Sequence, residues 1–133
     1  MEKKNTICIV DDDEIFQFIT RKSFERLNRS DNILIFSNGE EAIHYIQDAH
    51  DIDKPIPDII FLDINMPVMD GWDFMDQFAK VDLYGEKAPD IYMVSSSIDD
   101  KDLHKAKSLS MVKDYITKPI DDLKIREILN GLN

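Results

Sequence analysis

The stretch at 58–71 reads Asp58-Ile59-Ile60-Phe61-Leu62-Asp63-Ile64-Asn65-Met66-Pro67-Val68-Met69-Asp70-Gly71, and its reading decides the fold. The apolar run from Ile59 to Leu62 stops at Asp63. A short unbroken run between polar residues predicts a strand covered on both faces, as in a parallel sheet. Asp63 then stands at the carboxyl end of that strand, the edge of an open α/β sheet where ligands bind. Pro67 forbids a continuing helix or central strand, and Asp70-Gly71 signals a turn, so an irregular loop follows the carboxylate. Alone, Asp63 fits plain strand punctuation equally well, because aspartate is common in turns.

Outward from this stretch the pattern repeats. Ile7-Cys8-Ile9-Val10 is another apolar run, ended by Asp11-Asp12-Asp13-Glu14. Ile15, Phe16, Ile19 and Leu27 follow at helical spacing and are expected to line one face, with Arg21, Lys22 and Arg26 polar. Asn32 to Phe36 is the next strand. Ser37-Asn38-Gly39 offers capping groups for a helix over about Glu40 to Ala49 that buries Ala42, Ile43 and Ile46. After Gly71, Phe74, Met75 and Phe78 recur at helical spacing, with Trp72 at the start; they read as core rather than as a cofactor box. Ile91 to Val94 is a fourth strand, ended by Ser95-Ser96-Ser97. A more polar helix is expected over about Asp99 to Leu109, then a short strand from Asp114 to Thr117, stopped by Lys118-Pro119. Asp121 or Asp122 caps a last helix expected to bury Leu123, Ile128, Leu129 and Leu132, with Gly131 as its terminator. Five strand–helix pairs in alternation predict a doubly wound α/β fold, a parallel sheet with helices on both faces.

The 133 residues fit one domain. A hydrophobic content of 43% suffices for a packed core, and no run approaches the ~20 apolar residues that span a bilayer. The apolar run before Asp11 is too short for a signal-peptide core, and the single Cys8 has no internal disulfide partner, so a cytoplasmic location is expected. Cys8 reads as a small buried hydrophobe. With 27 acidic against 16 basic residues the formal charge is -11, which repels nucleic acid and anionic membrane surfaces; neither is an expected partner.

In a parallel sheet all strand ends share one edge. Asp11, Asp12 and Asp13 follow the first strand, Asp63 the third, Ser95 the fourth and Lys118 the fifth. Crowded carboxylates need a cation, and oxygen ligands without His or Cys select Mg²⁺, Ca²⁺ or Mn²⁺ over zinc. Lys118 adds a compact positive charge and Ser95 a hydroxyl, together matching the oxygens of a phosphoryl group in transfer. The acceptor is then a carboxylate, and Asp63 at the centre is the best nucleophile. The plainer alternative is an incidental or calcium-like acid cluster neutralised by Lys118.

With these residues in view, the chain resembles the receiver domains of two-component response regulators, including the single-domain chemotaxis-regulator type. The resemblance covers about Thr6 to Leu132 and treats 1–133 as one receiver. It rests on Ile-Val-Asp-Asp-Asp-Glu at 9–14, Leu-Asp-Ile-Asn-Met-Pro-Val-Met-Asp-Gly at 62–71, Met-Val-Ser-Ser at 93–96 and Ile-Thr-Lys-Pro at 116–119. It implies a flavodoxin-like five-stranded sheet of order 2-1-3-4-5. It implies that Asp63 is the phosphoacceptor, fed by a histidine kinase or histidine phosphotransfer protein. Mg²⁺, with Mn²⁺ as a substitute, would be held by Asp12, Asp63 and the Asn65 backbone carbonyl, with Asp11 acting through water. Ser95 would be the switch hydroxyl, Lys118 the phosphate's ion-pair partner, and Pro119 would follow a cis peptide bond. Tyr115 matches the aromatic position whose rotamer reports activation; a plain buried tyrosine is the rival reading. Two features depart from the common pattern. Ser95 stands where threonine is more frequent, and Ser110-Met111-Val112 replaces the usual Gly-Ala before the fifth strand.

The function implied is a stand-alone phosphoacceptor switch rather than an enzyme. Its state would be read by a protein partner at the fourth helix, fifth strand and fifth helix, or passed on as phosphate. Asn133 follows one helix after the fifth strand, so no output domain is expected within the chain. Two rivals remain: a degenerate receiver that only binds, and a Mg²⁺-dependent aspartate-nucleophile phosphohydrolase. The latter expects a second Asp two residues beyond the first, where Asn65 stands.

Overall fold

A computed structural model describes residues 5–27, 32–97 and 99–131. Each apolar run becomes a strand, and each strand is followed by a helix. The elements are β1 (Thr6–Val10), α1 (Glu14–Arg26), β2 (Asn32–Phe36), α2 (Gly39–Asp48), β3 (Ile59–Asp63), α3 (Gly71–Phe78), β4 (Asp90–Ser95), α4 (Asp100–Ser108), β5 (Val112–Thr117) and α5 (Asp122–Asn130). The strands are all parallel, as the alternation predicts, in the order β2-β1-β3-β4-β5 that the resemblance implies. Among the described residues no helix is long and apolar enough to cross a membrane.

Alternation along the strands divides the core into two layers. Cys8, Val10, Ile60, Leu62, Ile91 and Met93 face one side with the α2 and α3 residues Ile43, Ile46, Phe74 and Phe78. Ile7, Ile9, Ile59, Phe61 and Val94 face the other with Phe16, Phe24, Ile125 and Leu129 of α1 and α5. Burial on both faces explains why the central strands read as continuous apolar runs. Phe61 is 1% exposed and packs its ring against Phe24 and Tyr92, so truncating it to alanine costs about 3–5 kcal/mol.

An aspartate or asparagine opens every helix. Asp13, Asn38, Asp70, Asp99 and Asp121 each accept backbone N–H groups of the first turn. Of the two candidate caps for α5, Asp121 is the one used. Gly71 lets α3 start hard against the sheet: a Cβ there would lie 2.9 Å from both the Asp63 carbonyl oxygen and the Ile64 Cα.

Three expectations need correction. Ile15 and Ile19 are 72% and 42% exposed, because α1 turns Phe16, Thr20, Ser23 and Phe24 inward, at i, i+4, i+7 and i+8. Two of those inward positions are polar, which disguised the buried face. Leu123 is 69% exposed; the α5 cap at Asp121 sets Ile125, Ile128 and Leu129 as the inward stripe. Leu132 lies outside the described residues. β5 starts at Val112, two residues before the expected Asp114, because it is an edge strand whose Lys113 and Asp114 face solvent.

Candidate functional site

The register of the sheet brings the strand ends together. Val10 lies beside Leu62, Asp63 beside Val94, and Ser95 beside Thr117. The residues that end or follow those strands therefore converge at the carboxyl edge.

Asp11 is fixed on three sides and is 1% exposed. Its N–H donates to the Phe36 carbonyl at 3.0 Å, continuing the pairing of β1 with β2. Its Oδ1 accepts the Asp13 N–H at 2.9 Å. Its carbonyl accepts the Gln17 side-chain amide, which also donates to Ser37 Oγ. Asp63 is 4% exposed, and its Oδ1 accepts the Asn65 N–H at 3.1 Å. Lys118 places Nζ 2.8 Å from Asp11 Oδ2 and 3.7 Å from Asp63 Oδ2. The same ammonium lies over the Phe16 ring, 4.7 Å from its centroid. Asp12 is exposed at the rim, and one carboxylate oxygen from each of Asp11, Asp12 and Asp63 lies within 4.8 Å of the others.

Burial and proximity set the charge state. Burial, and then the neighbouring Asp11 carboxylate, push the Asp63 pKa up to about 7, although Lys118 and the Asn65 N–H pull the other way. Burial pulls the Lys118 ammonium down, but its hydrogen bond to Asp11 and the charges of Asp11 and Asp63 outweigh that and hold it above its ordinary value. Two unit charges 4 Å apart interact by about 4 kcal/mol at an effective dielectric near 20, so the Lys118 ammonium among three carboxylates leaves a demand for more positive charge. The all-oxygen donor set fits a hard divalent cation, which Asp11, Asp12 and Asp63 could hold.

Beside the carboxylates lies a chain of hydroxyl and backbone contacts. Ser95 Oγ is buried and accepts from the Ser97 N–H at 3.3 Å and the Asn65 side-chain amide at 3.4 Å. The Lys118 N–H donates to the Ser95 carbonyl at 2.8 Å. Tyr115 is half-buried on β5 and donates its hydroxyl to the Ser97 carbonyl at 2.9 Å. The Lys118–Pro119 peptide is cis, as expected.

Asp11, Asp12, Asp63 and Lys118 therefore form one cluster, Asn65 and Ser95 are tied to it by hydrogen bonds, and Tyr115 reaches it only through Ser97. Two further residues were not anticipated. Gln17 grips the acidic loop, and Phe16 underlies Lys118. By its spacing Phe16 reads as ordinary core; only its place as the first inward residue after the acidic run marks it. Gln17 carries no motif, and its role depends on the helix entry angle.

Residues 7–130 match the model of the family described as response regulator receiver domain. A 135-residue alignment with the "Probable histidine kinase 2" of Oryza sativa subsp. indica shows 30% identity and takes in 95% of this chain, yet only 12% of that protein. The chain thus spans about one-eighth of that relative's length. The "Probable methanogenesis regulatory protein FilR2" of Methanothrix harundinacea is 27% identical, over 89% of this chain and 76% of its own. Among solved structures, a two-component response regulator from Cytophaga hutchinsonii superposes with a TM-score of 0.87 at 27% identity, covering 98% of both chains. With its family model, sheet order and edge chemistry in agreement, this chain belongs to the response regulator receiver domain family.

Proposed function

We propose that the chain is a phosphoacceptor switch in which Asp63 takes a phosphoryl group from a histidine kinase or histidine phosphotransfer protein. The observation that carries this reading is the buried group of Asp11, Asp63 and Lys118 at one sheet edge, with the Ser95 hydroxyl beside it. Asp63 attacks phosphorus and forms an acyl phosphate, while the bond from phosphorus to the donor nitrogen breaks. Lys118 then exchanges its contact with Asp11 for a phosphoryl oxygen, and Ser95 turns its hydroxyl to another.

Mg²⁺, or Mn²⁺ in its place, would be held by Asp12, Asp63 and the Asn65 backbone carbonyl, with Asp11 acting through water, and would neutralise the incoming phosphoryl charge. The switch follows the hydrogen bonds already formed. If Ser95 turns to the phosphoryl group, the Ser97 N–H loses its acceptor, and the Ser97 carbonyl that holds Tyr115 is free to shift. That movement biases α4, β5 and α5, the face offered to a protein partner or to onward phosphotransfer. A protein phosphodonor suits the rim, where Ile15, Phe18, Ile19 and Val68 are exposed on the segments that follow Asp11 and Asp63. The net charge of -11 argues against nucleic acid as a partner, and a cytoplasmic setting suits a histidine phosphodonor.

The test is incubation with acetyl phosphate and Mg²⁺, followed by intact-mass measurement. The protein should gain one phosphoryl group, and Asp63→Ala should gain none. Uptake by Asp63→Ala would overturn the assignment.

A further inference from the structure

A lysine side chain has four flexible carbons, and its ammonium is a point charge with no preferred plane. Its own stereochemistry therefore does not aim Lys118. Three neighbours do: Asp11 Oδ2 at 2.8 Å, Asp63 Oδ2 at 3.7 Å and the face of the Phe16 ring with its centroid at 4.7 Å. We propose that Phe16 is a positioning residue, whose ring face holds the Lys118 ammonium at the carboxyl edge while its oxygen partners change. This inference rests on the reading of Lys118 as the cation that meets the phosphoryl group.

The ring is well placed for that task. Phe16 is 4% exposed and packed in the α1 and α5 side of the core. Its N–H is bound to Asp13 Oδ1 at 3.2 Å, so the cap that starts α1 also fixes the ring beneath the lysine. An aliphatic residue of similar volume would fill the space but offer nothing to an ammonium that has lost water. An aromatic face carries negative potential, and its attraction for a cation is stronger where water is excluded.

The ring also differs from a third carboxylate. It attracts the charge without accepting a directed hydrogen bond, so the N–H groups stay aimed at oxygen. Asp11 can then be exchanged for a phosphoryl oxygen without moving the anchor. Among the described residues two other lysines lie over rings, Lys22 over Phe18 at 5.4 Å and Lys105 over Trp72 at 4.8 Å. The Lys22 side chain is 49% exposed and Phe18 is 61% exposed, so water competes there. The Lys118 side chain is 14% exposed.

The test is a fluorination series at position 16 in the full chain: phenylalanine and its mono-, di- and trifluorinated forms. Fluorine drains the ring face of negative potential and barely changes its shape. The readouts are beryllofluoride affinity in Mg²⁺ and the rate of phosphoryl uptake from acetyl phosphate. Mg²⁺ affinity without beryllofluoride and the fold, followed by far-ultraviolet circular dichroism, serve as controls. Both readouts should fall stepwise with each fluorine, by about tenfold over the series, with the controls unmoved. Phe16→Leu should match the far end of the series, and Phe16→Trp should restore part of the loss. A flat series in a protein that binds beryllofluoride overturns the role of the ring and leaves the phosphoacceptor reading intact. An unmodified protein that binds no beryllofluoride overturns that reading, and this inference with it. If Phe16→Leu fails to fold, the fluorinated proteins still decide.

Discussion

At the amino edge of the sheet, Asp58, Asp90 and Lys113 stand near the starts of β3, β4 and β5. At the carboxyl edge, Asp11, Asp63 and Lys118 stand at or just past the ends of β1, β3 and β5. The residue types are the same, two aspartates and a lysine; at the amino edge they sit on three adjacent strands, whereas at the carboxyl edge β4 lies between β3 and β5. Lys113 approaches Asp90 to 3.9 Å, with side chains 51% and 22% exposed. Asp58 is used by the backbone, its Oδ2 accepting the Thr6 N–H at 2.8 Å. Lys118 and Asp11 meet at 2.8 Å, with side chains 14% and 1% exposed. Water screens the first group and is shut out of the second, so only there do charges strongly alter one another. Sign and spacing give both edges a chance at chemistry; desolvation selects one.

Removing each lysine should break this comparison open. Lys118→Ala leaves Asp11 and Asp63 buried without their cation. It should lower the unfolding free energy at pH 8, without Mg²⁺, by about 3 kcal/mol in urea titrations. Lys113→Ala should change it by less than about 0.5 kcal/mol. Equal losses would mean that burial is not what separates the edges.

Asp63→Asn should act in the opposite direction. The folded-state pKa of Asp63 is raised from 3.8 to about 7, so the folded protein binds the extra proton between those values. Its contribution to stability is full below about pH 4 and is lost as the pH rises through about 7. A neutral amide at this position suffers no such loss, so the substitution should stabilise the metal-free protein by about 2 kcal/mol at pH 8 and by little at pH 5. A gain that does not depend on pH would argue against repulsion and desolvation as its cause.

A divalent cation should sharpen the same contrast. Mg²⁺ held as proposed would have to displace the Asp63 proton, so the stabilisation it confers should grow from pH 6 to pH 8. The measurement is the shift of the thermal midpoint on adding Mg²⁺, and Asp63→Asn should flatten its pH dependence.

The smallest effect belongs to Arg26 and Asp122, paired at 3.1 Å through two guanidinium nitrogens, with side chains 58% and 41% exposed. Their geometry is better than that of Lys113 and Asp90, yet they too face water. Asp122→Asn should leave the urea midpoint unchanged within error. A clear loss would show that geometry, rather than burial, governs ion pairs in this fold.

Much of the molecule was legible because its signals are local. The runs at 7–10 and 59–62 are apolar throughout since parallel strands are covered on both faces. Asn38 and Asp121 mark helix starts since only short polar side chains reach the free N–H groups there, and the structure adds Asp13 and Asp70 in the same role. Alternation of strand and helix then placed Asp11, Asp63, Ser95 and Lys118 on one edge, because a parallel sheet has all its carboxyl ends together. The inward face of α1 is not legible in the sequence, because Thr20 and Ser23 occupy buried turns while Ile15, Phe18 and Ile19 point out. Composition favours the wrong stripe there, and only docking against β1, β3 and α5 sets the helix rotation. Leu123 failed for the same reason, as its orientation depends on which of two adjacent aspartates capped the helix.

The sequence by itself determined the order of the elements, the parallel sheet and the residue types at its reactive edge, since each follows from patterns a few residues long. The tertiary structure alone decided which charges leave water, which oxygen of Asp11 takes the ammonium, and that the Phe16 ring lies beneath it. Those outcomes depend on helix rotation and on packing between segments far apart in the chain, and no local pattern encodes either.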